Sequence, residues 1–197
     1  MHFFRRKQKY RRVGKERRRL EHYFIGIKVE GKTADTAVSL QEELCLKDYF
    51  KQLPVKEEFH LTLLFLGGWE TGKRQKLWSA LQDRESSSFK LYFDQYAFFG
   101  RKDFPRVLFL RPRENETLMN LYSAVSEEAF RIDYPVPSKP FRPHLTIAKK
   151  YKGNRPFPFP VYGEVEKTVE TVTEMSLFKV RPQKSPKYEK VSTIFFK

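Results

Sequence analysis

Apolar residues along the chain gather in short runs of two distinct periods, and the runs lay out an order of elements. His22 to Val29 (HYFIGIKV) is β-branched and aromatic and predicts a buried first strand. Ala37, Leu40 and Leu44 then recur at helical spacing, which predicts a helix from a cap at Thr33 or Asp35 to about Phe50, with Pro54 beyond it. Phe59 to Leu66 (FHLTLLFL) predicts a second strand, ended by Gly67 and Gly68, and Lys73 to Leu81 a second helix. Phe89–Phe99 and Arg106–Leu110 read as strands joined by a turn around Gly100 to Pro105. Leu118, Leu121, Tyr122, Val125 and Phe130 place a helix over Asn115–Phe130. The prolines of Pro135 to Pro140 break the chain before a further strand, His144–Ala148. Residues 151–162 are loop by their prolines, and two β-patterned segments, Thr168–Val180 and Tyr188–Phe196, close the sequence. Strands and helices do not alternate strictly, so the expected class is α+β with mainly antiparallel sheets.

One of these strands carries text that returns. His60-Leu61-Thr62-Leu63 recurs 84 residues later as His144-Leu145-Thr146-Ile147, which accounts for two of the four histidines in the chain. Strand side chains alternate faces, so His60 and Thr62 share one side while Leu61, Leu63 and Phe65 are expected on the other. His144 and Thr146 stand in the same relation to Leu145 and Ile147. Each strand thus seats its aliphatics in a core and offers an imidazole and a hydroxyl to the opposite side. Were the two strands to face each other from pseudo-symmetric lobes, their cleft would suit phosphate-ester chemistry. An in-line displacement at phosphorus needs a base on one side and an acid on the other, and imidazole serves as either near neutral pH. Threonine hydroxyls donate to the non-bridging oxygens. A single His-x-Thr on a strand is an ordinary half-buried pair; it is the second copy that points to chemistry. His2 and His22 lack the threonine and are incidental on this reading.

Composition adds a charge bias. The 197 residues carry a formal charge of +15, with 40% hydrophobic and 16% aromatic residues, enough apolar side chain for a core. Residues 1–19 hold ten Lys or Arg against one acid, Glu16, and so contribute +9. Residues 1–20 are therefore read as a basic extension and 21–197 as a single body. The extension is a candidate RNA handle, since neutralised phosphates release counterions, or merely a solubilising tail. The single cysteine, Cys45, excludes an internal disulfide or Cys-rich zinc site; it falls within a helical pattern and is expected to be buried. No apolar stretch approaches the roughly 20 residues of a membrane span, no apolar segment follows the basic start, and the lone cysteine fits a reducing cytosol, so a cytoplasmic protein is expected; it is also expected to be a monomer.

The matching residues extend beyond the tetrapeptides. Tyr23-Phe24-Ile25-Gly26-Ile27, HLTLLFLG (His60 to Gly67) and FRPHLTIA (Phe141 to Ala148) occur in an order and spacing that resemble the two-histidine (2H) phosphoesterases. The likeness is greatest to the RNA 2′,3′-cyclic phosphodiesterases, also called 2′-5′ RNA ligases, and spans about residues 22–196. The resemblance implies a bilobal fold with two antiparallel sheets around a central cleft and helices outside. It implies opening of a terminal 2′,3′-cyclic phosphate on RNA to a 2′-phosphate without metal or other cofactor, and leaves open reversible 2′-5′ joining of a cyclic end to a 5′-hydroxyl at the same site. On the same ground His60 is the general acid, His144 the general base, and Thr62 and Thr146 hold phosphoryl oxygens. The chain departs from its relatives at Lys149, where arginine is common; lysine supplies a point charge without the bidentate fork.

Three other readings compete. Gly67-x4-Gly72-Lys73 resembles a phosphate-binding loop, but the next position is Arg74 where Ser or Thr would hold Mg²⁺. A zinc or iron hydrolase would need ligand spacings that the chain lacks. A non-catalytic basic RNA-binding protein accounts for the charge and the aromatics, with Phe104, Phe141, Tyr151 and Phe157 as stacking candidates, but it has no use for matched histidines.

Overall fold

The computed structural model describes residues 21–135 and 139–197; the basic extension lies outside the described residues. The chain opens with β1 (Tyr23–Lys28), α1 (Gly31–Glu43), a short α2 (Leu46–Tyr49) and β2 (Phe50–Gln52). A 3-10 turn at Lys56–Glu58 leads into β3 (His60–Gly67) and α3 (Thr71–Gln82). The hairpin β4 (Phe89–Gly100) and β5 (Pro105–Pro112), then α4 (Glu116–Arg131) and β6 (Leu145–Tyr151), follow. β7 (Gly163–Val172), β8 (Glu174–Val180) and β9 (Tyr188–Phe195) complete the fold.

The strands lie in the order β7-β4-β5-β6-β3-β1-β8-β9, with β2 added on β6, and every pairing is antiparallel. One half holds β3, β1, β8 and β9; the other holds β6, β5, β4, β7 and β2. Among the described residues one registered pair, Leu61 with Leu145, joins β3 to β6. The two expected sheets are therefore hydrogen-bonded into a single run at that point. The helices are exchanged between halves: α1, which follows β1, packs on β7 and β6, while α4, which follows β5, packs on β3. The unit β1-α1-β3 is thus matched by β5-α4-β6, giving the pseudo-symmetry that the repeated tetrapeptide implied.

Local chemistry explains most boundaries. Asn115 caps α4 by accepting from the backbone N–H of Leu118 at 2.8 Å, and Leu118, Leu121, Val125 and Ala129 form its buried stripe. Three expectations need correction. Neither Thr33 nor Asp35 caps α1: the helix starts at Gly31, and Thr33 is buried, donating to the Thr168 hydroxyl on β7 at 3.0 Å. The predicted helix to Phe50 is broken at Cys45, which adopts φ 47° and is exposed, so the thiol is not a core residue. The β-pattern Thr168–Val180 is two strands in opposite halves, since the chain leaves one sheet at Val172 and enters the other at Glu174. Periodicity does not report a crossing between layers when both sides are β.

Candidate active site

His60 is the first residue of β3, and His144 immediately precedes β6. Both rings are half-buried, as are Thr62 and Thr146, whereas Leu61, Leu63, Leu145 and Ile147 are buried in the core. Continuing the antiparallel register outward from Leu61 and Leu145 sets His60 across from Thr146, and Thr62 across from His144. Neighbouring strands are about 4.8 Å apart, so two imidazoles and two hydroxyls converge on one face.

The two histidines are held alike. His60 Nδ1 lies 2.6 Å from the carbonyl oxygen of Glu58, and His144 Nδ1 lies 2.8 Å from that of Arg142. A carbonyl only accepts, so Nδ1 is the protonated nitrogen in each neutral ring and Nε2 is left for chemistry. In both cases the carbonyl belongs to the residue two positions earlier, so the tautomer is set by the same local backbone turn in each repeat. Aromatic rings fix the plane. Phe24 lies 4.6 Å from the His60 ring and Tyr188 meets it edge-on at 4.8 Å. Phe99 and Phe109 meet His144 edge-on at 5.0 and 5.5 Å.

A bulge recurs with the motif. Gly26 pairs with Thr62 and Ile25 with Leu64, so Leu63 is an extra residue; Phe109 pairs with Thr146 and Leu108 with Ala148, so Ile147 is its counterpart. Each bulge reverses the alternation of faces beyond it. Lys149 is thereby returned to the face of His144 and Thr146, opposite Val107. In the other half the matching position is Phe65, expected in the core but in fact 53% exposed and paired with Phe24. A strict two-residue alternation cannot foresee this, because the bulge is a property of the pairing.

Burial dominates the electrostatics. The His60 imidazole is pushed down to about 4 by burial, against the Glu58 carbonyl, and the positive charges of Lys149 and Lys28 and the His144 ring push the same way. His144 is also lowered by burial, opposed by the Arg142 carbonyl. Lys149 lies below its ordinary value through burial, with Lys187 and Lys150 adding repulsion and Glu58 opposing. The cleft thus disfavours positive charge while being lined by it, an arrangement whose chemistry suits a negatively charged group.

Sequence reasoning missed Glu58, Lys187 and Tyr188. The Glu58 side chain is buried, and its carboxylate accepts from the backbone N–H of Lys187 at 2.8 Å, with Lys187 Nζ at 3.4 Å. This ties the β8–β9 connection, and with it Tyr188, to the segment that orients His60. No spacing in the sequence links residues 129 apart. Of the stacking candidates, Phe157 is buried among Tyr49, Phe50 and Tyr151, and Phe141 lies flat on Tyr122 at 4.0 Å. Phe104 lies 6.0 Å from Tyr151. Gly67, with φ 57°, ends β3, and Lys73 faces Asp133 at 3.5 Å. Among the described residues no group of three or more His, Cys, Asp or Glu is gathered to hold a metal.

Residues 34–167, more than half the chain, match the model of the 2′-5′ RNA ligase superfamily. The chain belongs to that superfamily. Among its relatives is the RNA 2′,3′-cyclic phosphodiesterase of Bacillus subtilis, 31% identical over 86% of this chain and 93% of that protein. That of Geobacillus stearothermophilus is 28% identical over 87% of this chain and 56% of the relative. Among solved structures, E. coli LigT complexed with 3′-AMP matches at a TM-score of 0.76, covering 89% of this chain and 98% of that one at 20% identity. A Thermus thermophilus structure matches at 0.73 with 21% identity. These likenesses identify the same fold, the 2H phosphoesterase fold. No helix among the described residues of this superfamily member is long and apolar enough to cross a membrane.

Proposed function

We propose that the chain hydrolyses the terminal 2′,3′-cyclic phosphate of RNA to a 2′-phosphomonoester. The supporting observation is the convergence of two identically oriented imidazoles at the Leu61–Leu145 pair, in a chain whose relatives are named RNA 2′,3′-cyclic phosphodiesterases. In the forward step His144 Nε2 takes a proton from water as its oxygen attacks phosphorus. His60 gives the proton on Nε2 to O3′ as the P–O3′ bond breaks. Thr62 and Thr146 donate to the non-bridging oxygens, and Lys149 supplies positive charge. An incoming phosphate brings the negative charge that raises the His60 pKa, so the acid is charged by its own substrate. The same step with a 5′-hydroxyl in place of water makes a 2′-5′ linkage.

Phosphorus NMR of a nucleoside 2′,3′-cyclic phosphate incubated with protein and EDTA tests activity, product isomer and metal need together. A 2′-phosphate is expected; an unchanged cyclic signal, or loss of turnover on adding EDTA, contradicts the proposal. We further propose that residues 1–19 contact RNA. Their deletion is then expected to flatten the salt dependence of RNA binding, and an unchanged slope contradicts it.

A further inference from the structure

The largest groove described on the molecule adjoins His144. It has a volume of about 740 Å³, large enough for a nucleotide-sized ligand. Phe99 and Phe109, the rings that flank His144, form its inner wall, and Phe98, Phe141, Met119 and Arg111 continue it. The segment Phe141–Pro143, which delivers His144 to β6, closes one side. The groove therefore lies beside His144, and none of the rings that touch His60 lines it.

Its chemistry is that of a single-stranded nucleic-acid site, aromatic faces with interspersed guanidinium groups. Lys28 pairs with His60 across β1 and β3, and continuing the β5–β6 register by one residue sets Arg111 across from His144. Arg111 is thus the counterpart of Lys28 in the second half, but it is exposed and makes no ion pair or side-chain hydrogen bond among the described residues. Arg142, also exposed, lines the same groove. Of the other charges, Arg113 is bound to Asp94, while Glu114 and Glu116 lie along the wall formed by the start of α4. Arg111 and Arg142 are the cations lining this groove that have no ion pair among the described residues.

In-line displacement places the attacking and departing oxygens on opposite sides of phosphorus. On the reading above His144 serves the attacking oxygen. Water needs no groove beyond that point, whereas a 5′-hydroxyl carries a nucleoside and a strand behind it. We propose that this groove seats the 5′-hydroxyl RNA strand that attacks the cyclic phosphate. His144 Nε2 removes the 5′-hydroxyl proton, the P–O5′ bond forms, the P–O3′ bond breaks, and O3′ takes the proton of His60. The product is a 2′-5′ phosphodiester with a free 3′-hydroxyl. The proposal rests on the reading of His144 as base.

The test uses the full chain with a trinucleotide ending in a 2′,3′-cyclic phosphate and a labelled 5′-hydroxyl hexaribonucleotide, joined and hydrolysed products being separated by electrophoresis. The joined fraction is expected to saturate with acceptor strand. Arg111→Glu is expected to raise the half-saturating acceptor concentration about tenfold and to reduce its salt slope by roughly 0.7, as for one lost phosphate contact on a single strand. Met119→Glu, at an exposed position on α4 and harmless to folding, is expected to raise it in the same direction. Both variants are expected to hydrolyse a nucleoside 2′,3′-cyclic phosphate at the wild-type rate. An unchanged acceptor dependence in both variants, or no joined product from the wild type, overturns the proposal. So does a defect that follows the length of the cyclic-phosphate strand instead of the acceptor. A wild-type protein inert toward the mononucleotide overturns the hydrolytic reading itself, an outcome distinct from the other three.

Discussion

Leu61 and Leu145 face each other across β3 and β6 and are the one registered pair joining the two halves among the described residues. Both are fully buried, and each follows a motif histidine directly. A single pair lets the strands part on either side, so the residues flanking it line a cleft while the pair itself is core. The site is therefore anchored to the hydrophobic interior at the point where the halves meet.

The two imidazoles are expected to be individually indispensable. His60→Ala and His144→Ala should each lower kcat by roughly 10²–10⁴, the size of an acid–base contribution. Turnover of a nucleoside 2′,3′-cyclic phosphate measures it, and a variant of either retaining the wild-type rate contradicts the paired mechanism.

The depressed histidines give the pH dependence its sign. In the unfolded chain both titrate near 6.5, whereas the folded protein holds His60 at about 4 and His144 below its ordinary value. Between those limits the folded state binds fewer protons, so stability is full above about 6.5 and is lost as pH falls toward 4. Thermal unfolding across that window is expected to shift downward with acidity, and less so in His60→Gln. For catalysis, kcat/KM reports the free protein and should peak on the acid side of 6.5. The descending limb of kcat should lie at higher pH, because bound phosphate raises His60. Coincident descending limbs would be the contrary result.

Gly26 is expected to tolerate no side chain. It pairs with Thr62, and a Cβ there would lie 2.6 Å from the backbone oxygen of Leu61. A backbone atom cannot swing aside, so Gly26→Ala must push β1 and β3 apart, at a cost of about 1–3 kcal/mol. Denaturant unfolding should show that loss, and kcat should fall because Thr62 moves with the strand. Unaltered stability would mean that the strands separate freely.

Glu58 is expected to act on the wall around His60. Glu58→Ala leaves the carbonyl that orients the ring but removes the carboxylate that accepts from Lys187, leaving that N–H without its partner at a cost of about 1–3 kcal/mol. Glu58→Gln keeps one acceptor and should recover most of the stability. Equal losses in both would assign the effect to charge instead of the hydrogen bond.

The repeated tetrapeptide and the alternation of its residues determined by themselves that two histidines and two threonines would sit opposite buried aliphatics. Asn115 and the stripe from Leu118 to Ala129 likewise determined α4, since a cap and a helical period are local properties. Only the tertiary structure decided that β7 and β8 part at Thr173 into opposite halves, and that Lys149 and Phe65 rejoin the cleft face through bulges at Ile147 and Leu63. It also decided which backbone carbonyl holds each imidazole and which distant carboxylate, that of Glu58, steadies the wall beside one of them. The division has a physical cause. Side-chain periodicity records the solvent on either side of one segment, whereas bulges, crossings and buried hydrogen bonds exist only once a second segment lies against the first.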